Sequence, residues 1–225
     1  MLQKCVTYLG HKNDGEGLHP TENKLAAIRD APRHKDVTAL KSFLGLIMFY
    51  SRFMPYKYTI VAPLRNLLKM DTPWKWSKVE EDAFVAAKGL ILNSETLVNY
   101  DHTLPLYLSC DASFYGAGAG AVLSHKRNGK FRHVAFASCT LTYAQKNYSQ
   151  VEKEAFSIIF GLKRLRQYLY GRSFIILTDH RPLLSLFGRK NPVPAHAAAR
   201  LQRWTLIIAP YNYCGALVLL FLLHF

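Results

Sequence analysis

Cysteine and acidic residues are both scarce in this chain. The four cysteines, Cys5, Cys110, Cys139 and Cys214, are scattered, with no Cys-x-x-Cys pair and no clustered His spacing. Neither a zinc site nor a disulfide framework is indicated, and an intracellular, reducing setting, cytoplasm or nucleus, is expected. Fifteen Asp and Glu stand against 29 Lys and Arg, a net charge of +14. That imbalance favours a polyanion such as nucleic acid; a plain basic solvated surface is the alternative. The N-terminus has no basic stretch followed by an apolar one, which argues against a secretory signal. The run Ala216 to Phe225 is nearly all apolar but far short of the ~20 residues of a membrane helix, and Gly215, Asn212 and Pro210 interrupt its upstream extension. Membrane association is therefore not expected. Internal repeats and low-complexity stretches are also missing.

What is present is ample core material: 225 residues, 50% hydrophobic and 13% aromatic, enough for one large domain or two small ones. Residues 20 to 92 read as helices. Thr21 to Ala31 carries Leu25 and Ile28 and stops before Pro32. Asp36 can cap a helix to Phe53 with Val37, Leu40, Phe43, Leu44 and Ile47 on one face. Pro63 can open a short helix, and Ser77-x-x-Glu80 is a capping box for a helix through Phe84, Ala87 and Ile91. Trp74 and Trp76, just before it, read as packing residues at a domain joint.

Beyond Asn99 the period changes. Leu104 to Cys110, Gly116 to Leu123 and Phe131 to Ser138 read as strands, with Asn128-Gly129 as a tight hairpin turn between the second and third. A long amphipathic helix follows, opened by Ser149-x-x-Glu152 and ended by Gly171. Phe174 to Leu177 is a short apolar strand suited to a sheet interior. The order β-β-β-α-β predicts an α/β fold with a mixed sheet.

In so basic a chain, acids on or beside buried elements need a reason. Asp111 ends the first of these strands, Glu154 sits in the first turns of the long helix, and Asp179 ends the apolar fourth strand. Carboxylates placed so can converge to hold hard divalent cations, which activate water and stabilise the leaving oxygen of a phosphodiester. Periodicity does not separate Glu152 from Glu154; the capping box does, because it commits Glu152 to Ser149. The competing reading is mundane: Asp111 and Asp179 as turn and helix caps, Glu154 as a helix-start acid.

From Tyr8-Leu-Gly-His11 to Tyr211-Asn-Tyr213 the sequence resembles a gypsy-type LTR retrotransposon Pol polyprotein. The resemblance rests on Leu40-Lys-Ser-Phe-Leu-Gly-Leu46, Tyr50-Ser-Arg-Phe53, Ala62-Pro-Leu64, Asp111-Ala-Ser113, Asn147-Tyr-Ser149, Glu152-Lys-Glu154, Tyr168-Leu-Tyr-Gly-Arg172, Thr178-Asp-His180 and Arg200-Leu-Gln-Arg-Trp204. It implies that 1–19 end a reverse-transcriptase palm, that 20–98 form a helical thumb and connection, and that 99–213 form an incomplete ribonuclease H-like domain. Residues 214–225 would be an aberrant apolar tail. The implied fold is a ribonuclease H-like mixed sheet with flanking helices, preceded by a small helical segment.

The implied activity is Mg²⁺-dependent (Mn²⁺ as substitute) cleavage of RNA in RNA–DNA hybrids, with Asp111, Glu154 and Asp179 as catalytic metal ligands. Phosphate contacts fall to Lys126, Arg127, Lys130, Arg132, Lys163, Arg164, Arg166, Arg200 and Arg203. Departures temper the expectation. There is no Tyr-x-Asp-Asp, so this chain alone is not expected to polymerise DNA; other reverse-transcriptase domains would act in trans. Cys214 to Phe225 matches neither the family's last strand nor the helix carrying a fourth catalytic Asp, as in a frameshifted, misspliced or degraded copy, so cleavage is expected to be weak. Gly116 to Gly120 is two residues longer than the family's version, and Cys139 stands where Arg is usual. His180 is open to a proton-shuttle or a helix-start packing role. An inactive nucleic-acid-binding module and a non-functional relic remain the alternatives.

Overall fold

The computed structural model describes residues 5–54, 57–70, 72–93, 96–112, 118–187 and 199–217. The chain divides at Tyr100/Asp101 into two compact units.

The first unit opens with an antiparallel meander of β1 (Cys5–Tyr8), β2 (His11–Asp14) and β3 (Leu18–Pro20). Leu9 and Gly10 both take positive φ, the two-residue turn whose twist matches the strands it joins. These strands are absent from the sequence reading of 1–19, which are too short and too exposed to show a period. Helices α1 (Glu22–Arg29), α2 (Val37–Phe49), α3 (Lys57–Ile60), α4 (Ala62–Asn66) and α5 (Lys78–Leu92) follow. The start signals act as expected: Asp36 accepts from the Ala39 N–H at 2.8 Å, proline opens α4, and Ser77 and Glu80 form a reciprocal box. Leu40, Phe43, Ile47, Leu64, Phe84 and Ile91 make the core, where Phe43 and Phe84 meet at 4.8 Å. Trp76 packs within this unit, edge-on to Phe84 and under the Arg33 guanidinium.

The second unit is a five-stranded sheet with helices against it. Strands β4 (Leu106–Ala112), β5 (Gly118–Arg127) and β6 (Lys130–Thr140) form an antiparallel meander. Asn128 and Gly129 have φ of 50° and 79°, as the hairpin turn requires. After α6 (Tyr143–Lys146) come α7 (Gln150–Arg164) and α8 (Arg166–Leu169), separated at Leu165, where a single helix was expected. Leu162, Leu165 and Leu169 are all buried across that break, so the apolar pattern reads through it. Strand β7 (Ser173–Thr178), α9 (Arg181–Leu186), α10 (Ala199–Ile208) and β8 (Asn212–Leu217) complete the unit.

The strand order is β6-β5-β4-β7-β8, with β7 parallel to both β4 and β8. The stretch set apart in sequence from residue 214 onwards thus begins inside the sheet: Cys214 pairs with Ile175 and Leu217 with Thr178. A final strand is present, contrary to the sequence expectation; residues 218–225 lie outside the described ones, as do residues 116 and 117 of the lengthened Gly-Ala stretch, whose remaining three residues open β5. Among the described residues no helix is long and apolar enough to cross a membrane. Gly161 lets α7 approach the sheet. A Cβ there would meet the Ala121 Cβ at 2.8 Å and the Cys110 Sγ at 3.1 Å.

Candidate active site

The parallel pairing of β4 with β7 builds the site. Its register runs from Leu106 opposite Phe174 to Ser109 opposite Leu177. Asp111 and Asp179 each lie two residues beyond that last pair, so the two acids leave adjacent strands at the same level. Asp111 is half-buried and Asp179 exposed.

Glu154 comes from the first turns of α7. Its neighbour Glu152 closes the capping box: its carboxylate accepts from the Ser149 N–H and Oγ, both at 3.0 Å, and also pairs with Arg200. Burial alone would raise the Glu152 carboxyl, but the Ser149 bonds and the Arg200 charge outweigh it and hold it low. Glu154 instead turns inward, 5% exposed. Gln150 Nε2 donates to its Oε1 at 2.7 Å and the Ala112 backbone N–H also favours its charged form, while its Oε2 is buried with no partner in hydrogen-bond geometry. Burial first, then the charges of Asp111 and Asp179, push this carboxyl up to about 8. The same environment raises the buried Cys110 thiol, through burial and then the charges of Glu154 and Asp111.

Glu154 therefore senses the charges of both of the other acids singled out in sequence, Asp111 and Asp179. The three do not close into a ready-made cage: among the described residues no three His, Cys, Asp or Glu side chains are gathered tightly enough to hold a metal. The donors are all carboxylate oxygens, the set that hard divalent cations take. An unpartnered buried oxygen beside two like charges is a site that a cation would neutralise. Gln150, which steadies Glu154, was missed in sequence; its position four residues before Glu154 on the same helix face was the available signal. His180 occupies the N-cap position of α9 without a side-chain capping bond; its backbone N–H donates to Thr178 Oγ1 at 3.1 Å, and its ring Nδ1 is buried without a partner.

The basic residues are placed less uniformly. Lys126, Arg127, Lys130 and Arg132 are exposed around the β5–β6 turn. Asp111 pairs with Gly120, so this patch begins six or seven strand residues from the acids, roughly 20 Å at ~3.3 Å per residue. Arg127 pairs with Asp101 at 3.3 Å. Lys163, Arg164, Arg166 and Arg203 are exposed, with Arg166 over the Tyr170 ring at 4.7 Å. Arg200 is half-buried, committed to Glu152 and lying 3.9 Å from the Tyr148 ring centre. Cys139 is half-buried on β6, opposite Ala119, and burial raises its thiol.

Residues 101–211 match the RNase H-like domain found in reverse transcriptase. The retrovirus-related Pol polyprotein from transposon 297 of Drosophila melanogaster is 35% identical over 213 residues, 94% of this chain and 19% of that protein. The Tf2-3 transposon polyprotein of Schizosaccharomyces pombe is 32% identical over 214 residues, 94% of this chain and 16% of that one. The chain thus spans less than a fifth of the length of these relatives. The foamy viral protease-reverse transcriptase dRH in complex with ds DNA shares the fold, with a TM-score of 0.75 at 20% identity over 97% of this chain and 38% of that one. The foamy viral enzyme in complex with RNA/DNA hybrid gives 0.74 at 19%, over 97% and 30%. Motifs, fold and kinship agree: the chain belongs to the Pol polyproteins of LTR retrotransposons, and residues 101–211 are its reverse-transcriptase RNase H-like domain.

Proposed function

We propose that the second unit cleaves the RNA strand of RNA–DNA hybrids, with Asp111, Glu154 and Asp179 holding Mg²⁺. The observation that carries this is Glu154, a carboxylate with one unpartnered oxygen, pressed towards its neutral form first by burial and then by two acids from matching strand ends. Mg²⁺ bound there would activate a water and offset the charge on the departing oxygen. The chain's own contribution is to hold three oxygen donors on rigid elements: Gln150 orients Glu154, and the sheet fixes the two Asp. Exposed cations at the hairpin and at the C-terminal end of α7 suit phosphate contacts that carry no sequence information. The likeness in fold to foamy viral complexes of ds DNA and RNA/DNA hybrid supports such a partner, and residues 1–19 and 20–98 would serve as the palm end and the thumb and connection that the family resemblance implies. Polymerisation would need domains supplied in trans.

The open spacing of the acids favours a second reading, binding without cleavage. A hybrid carrying the label on its RNA strand separates the two. Metal-dependent RNA cutting that Asp111→Asn abolishes supports the nuclease. Salt-sensitive hybrid binding with no cutting in Mg²⁺ or Mn²⁺ refutes it and leaves the binding module.

A further inference from the structure

An open pocket of about 360 Å³ lies along α7, bordered by Gln145 of α6 and Trp204 of α10 and floored by the buried Ile159. That is within the ~300–1,000 Å³ range of pockets that hold small ligands. Its walls are the rings of Tyr148, Phe156, Phe160 and Trp204, with Lys163 and Arg164 also in the lining. All four rings are half-buried and both cations exposed. Trp204 sits 6.2 Å from both Tyr148 and Phe156, and Phe156 lies stacked with Phe160 at 6.4 Å.

These rings are not core. The residues of α7 that pack inward are Glu154, Ala155, Ser157, Ile158, Ile159, Gly161 and Leu162; Phe156, Phe160, Lys163 and Arg164 form the opposite stripe. Four aromatic rings kept half-open beside two cations that meet no carboxylate among the described residues make a surface complementary to a flat ring joined to an anion. That pairing of stacking platform and charge is how unpaired nucleotides are held without sequence preference.

We propose that this pocket is a second nucleic-acid contact, one that seats an unpaired base while Lys163 and Arg164 meet the adjoining phosphates. Double-stranded substrate has no base to offer it, so the pocket serves single-stranded tails. The idea rests on the nucleic-acid reading above, and its test separates the two.

The full chain is titrated by anisotropy with three labelled probes: a short oligothymidylate, an abasic deoxyribose-phosphate oligomer of the same length, and a blunt RNA–DNA hybrid. Stacking predicts that Phe160→Ala weakens oligothymidylate binding about tenfold, as expected for one lost platform, while hybrid affinity stays within about twofold. Trp204→Leu should show the same selective loss, whereas Trp204→Phe, which keeps an aromatic platform, retains most of the affinity. Oligothymidylate should also quench tryptophan emission in the wild type and not in Trp204→Phe. Equal binding of the abasic oligomer, or oligothymidylate affinity indifferent to Phe160→Ala and Trp204→Leu, overturns the pocket. Hybrid binding with no oligothymidylate binding overturns the pocket alone; binding of neither probe overturns the pocket and the nucleic-acid reading together.

Discussion

Replacing Glu154 by Gln should change how stability depends on pH. In the folded protein this carboxyl titrates at about 8, against an ordinary 4.5, so the folded state holds its proton more tightly than the unfolded chain does. The stability linked to that proton is fully present below pH 4.5 and is lost as pH rises through 8. Each pH unit between the two costs close to 1.4 kcal/mol, which amounts to about 2–3 kcal/mol between pH 5 and 7. Gln stays neutral and keeps an acceptor for the Gln150 N–H. Its amide nitrogen takes the position of the unpartnered Oε2, a cost that does not vary with pH. Urea or thermal melts in EDTA at pH 5 and 7 therefore matter as a difference of differences. The variant should gain about 2–3 kcal/mol on the wild type over that interval, roughly 5–10 °C in midpoint for a chain of this size. Titrating groups away from Glu154 are common to both proteins and cancel, and over this interval Glu154 is itself mostly neutral, so its coupling to Asp111 and Asp179 changes little. Parallel pH profiles would mean that Glu154 is not a buried acid under pressure from its neighbours, and the argument for the site would fail with it.

Two further outcomes follow from the packing and the charge. Gly161→Val places methyl groups where a Cβ alone would already meet Ala121 at 2.8 Å; α7 must move off the sheet, and chemical denaturation should show a loss of about 1–3 kcal/mol. Reversing Lys126, Lys130 and Arg132 to Glu should weaken hybrid binding and lower its log–log salt slope by about three, one per phosphate contact. An unchanged slope would remove the hairpin from the interface.

Much of the second unit could be read from single residues with a fixed physical role. Asn128-Gly129 dictates its turn, Ser149 and Glu152 mark the start of α7, and Asp111 and Asp179 follow from reading where strands end. Choosing Glu154 over Glu152 needed only the capping box, and the structure gives each acid the corresponding place. Other features depend on context that a local pattern does not carry. The break at Leu165 is hidden because Leu162, Leu165 and Leu169 all stay buried through it. Strand β8 was obscured by its unfamiliar sequence, although an apolar run beside a buried parallel strand satisfies the same backbone pairing whatever its side chains. The Thr142 and Gln145 box that opens α6 went unread. So did the half-open rings around Trp204, because an outward Phe156/Phe160 pair four residues apart reads in sequence as added helix apolarity until the sheet shows which face is inside.

The central claim is that Asp111, Glu154 and Asp179 act as one charge cluster awaiting a divalent cation. Titration calorimetry with Mg²⁺ or Mn²⁺ at pH 7, repeated in buffers of different ionisation enthalpy, tests it most directly. A carboxyl that titrates at about 8 is mostly protonated at pH 7, so the account predicts close to one proton released per binding event. That release should vanish in Glu154→Gln, and binding should be lost in Asp111→Asn. Metal binding without proton release, or binding unaffected by either substitution, would contradict it.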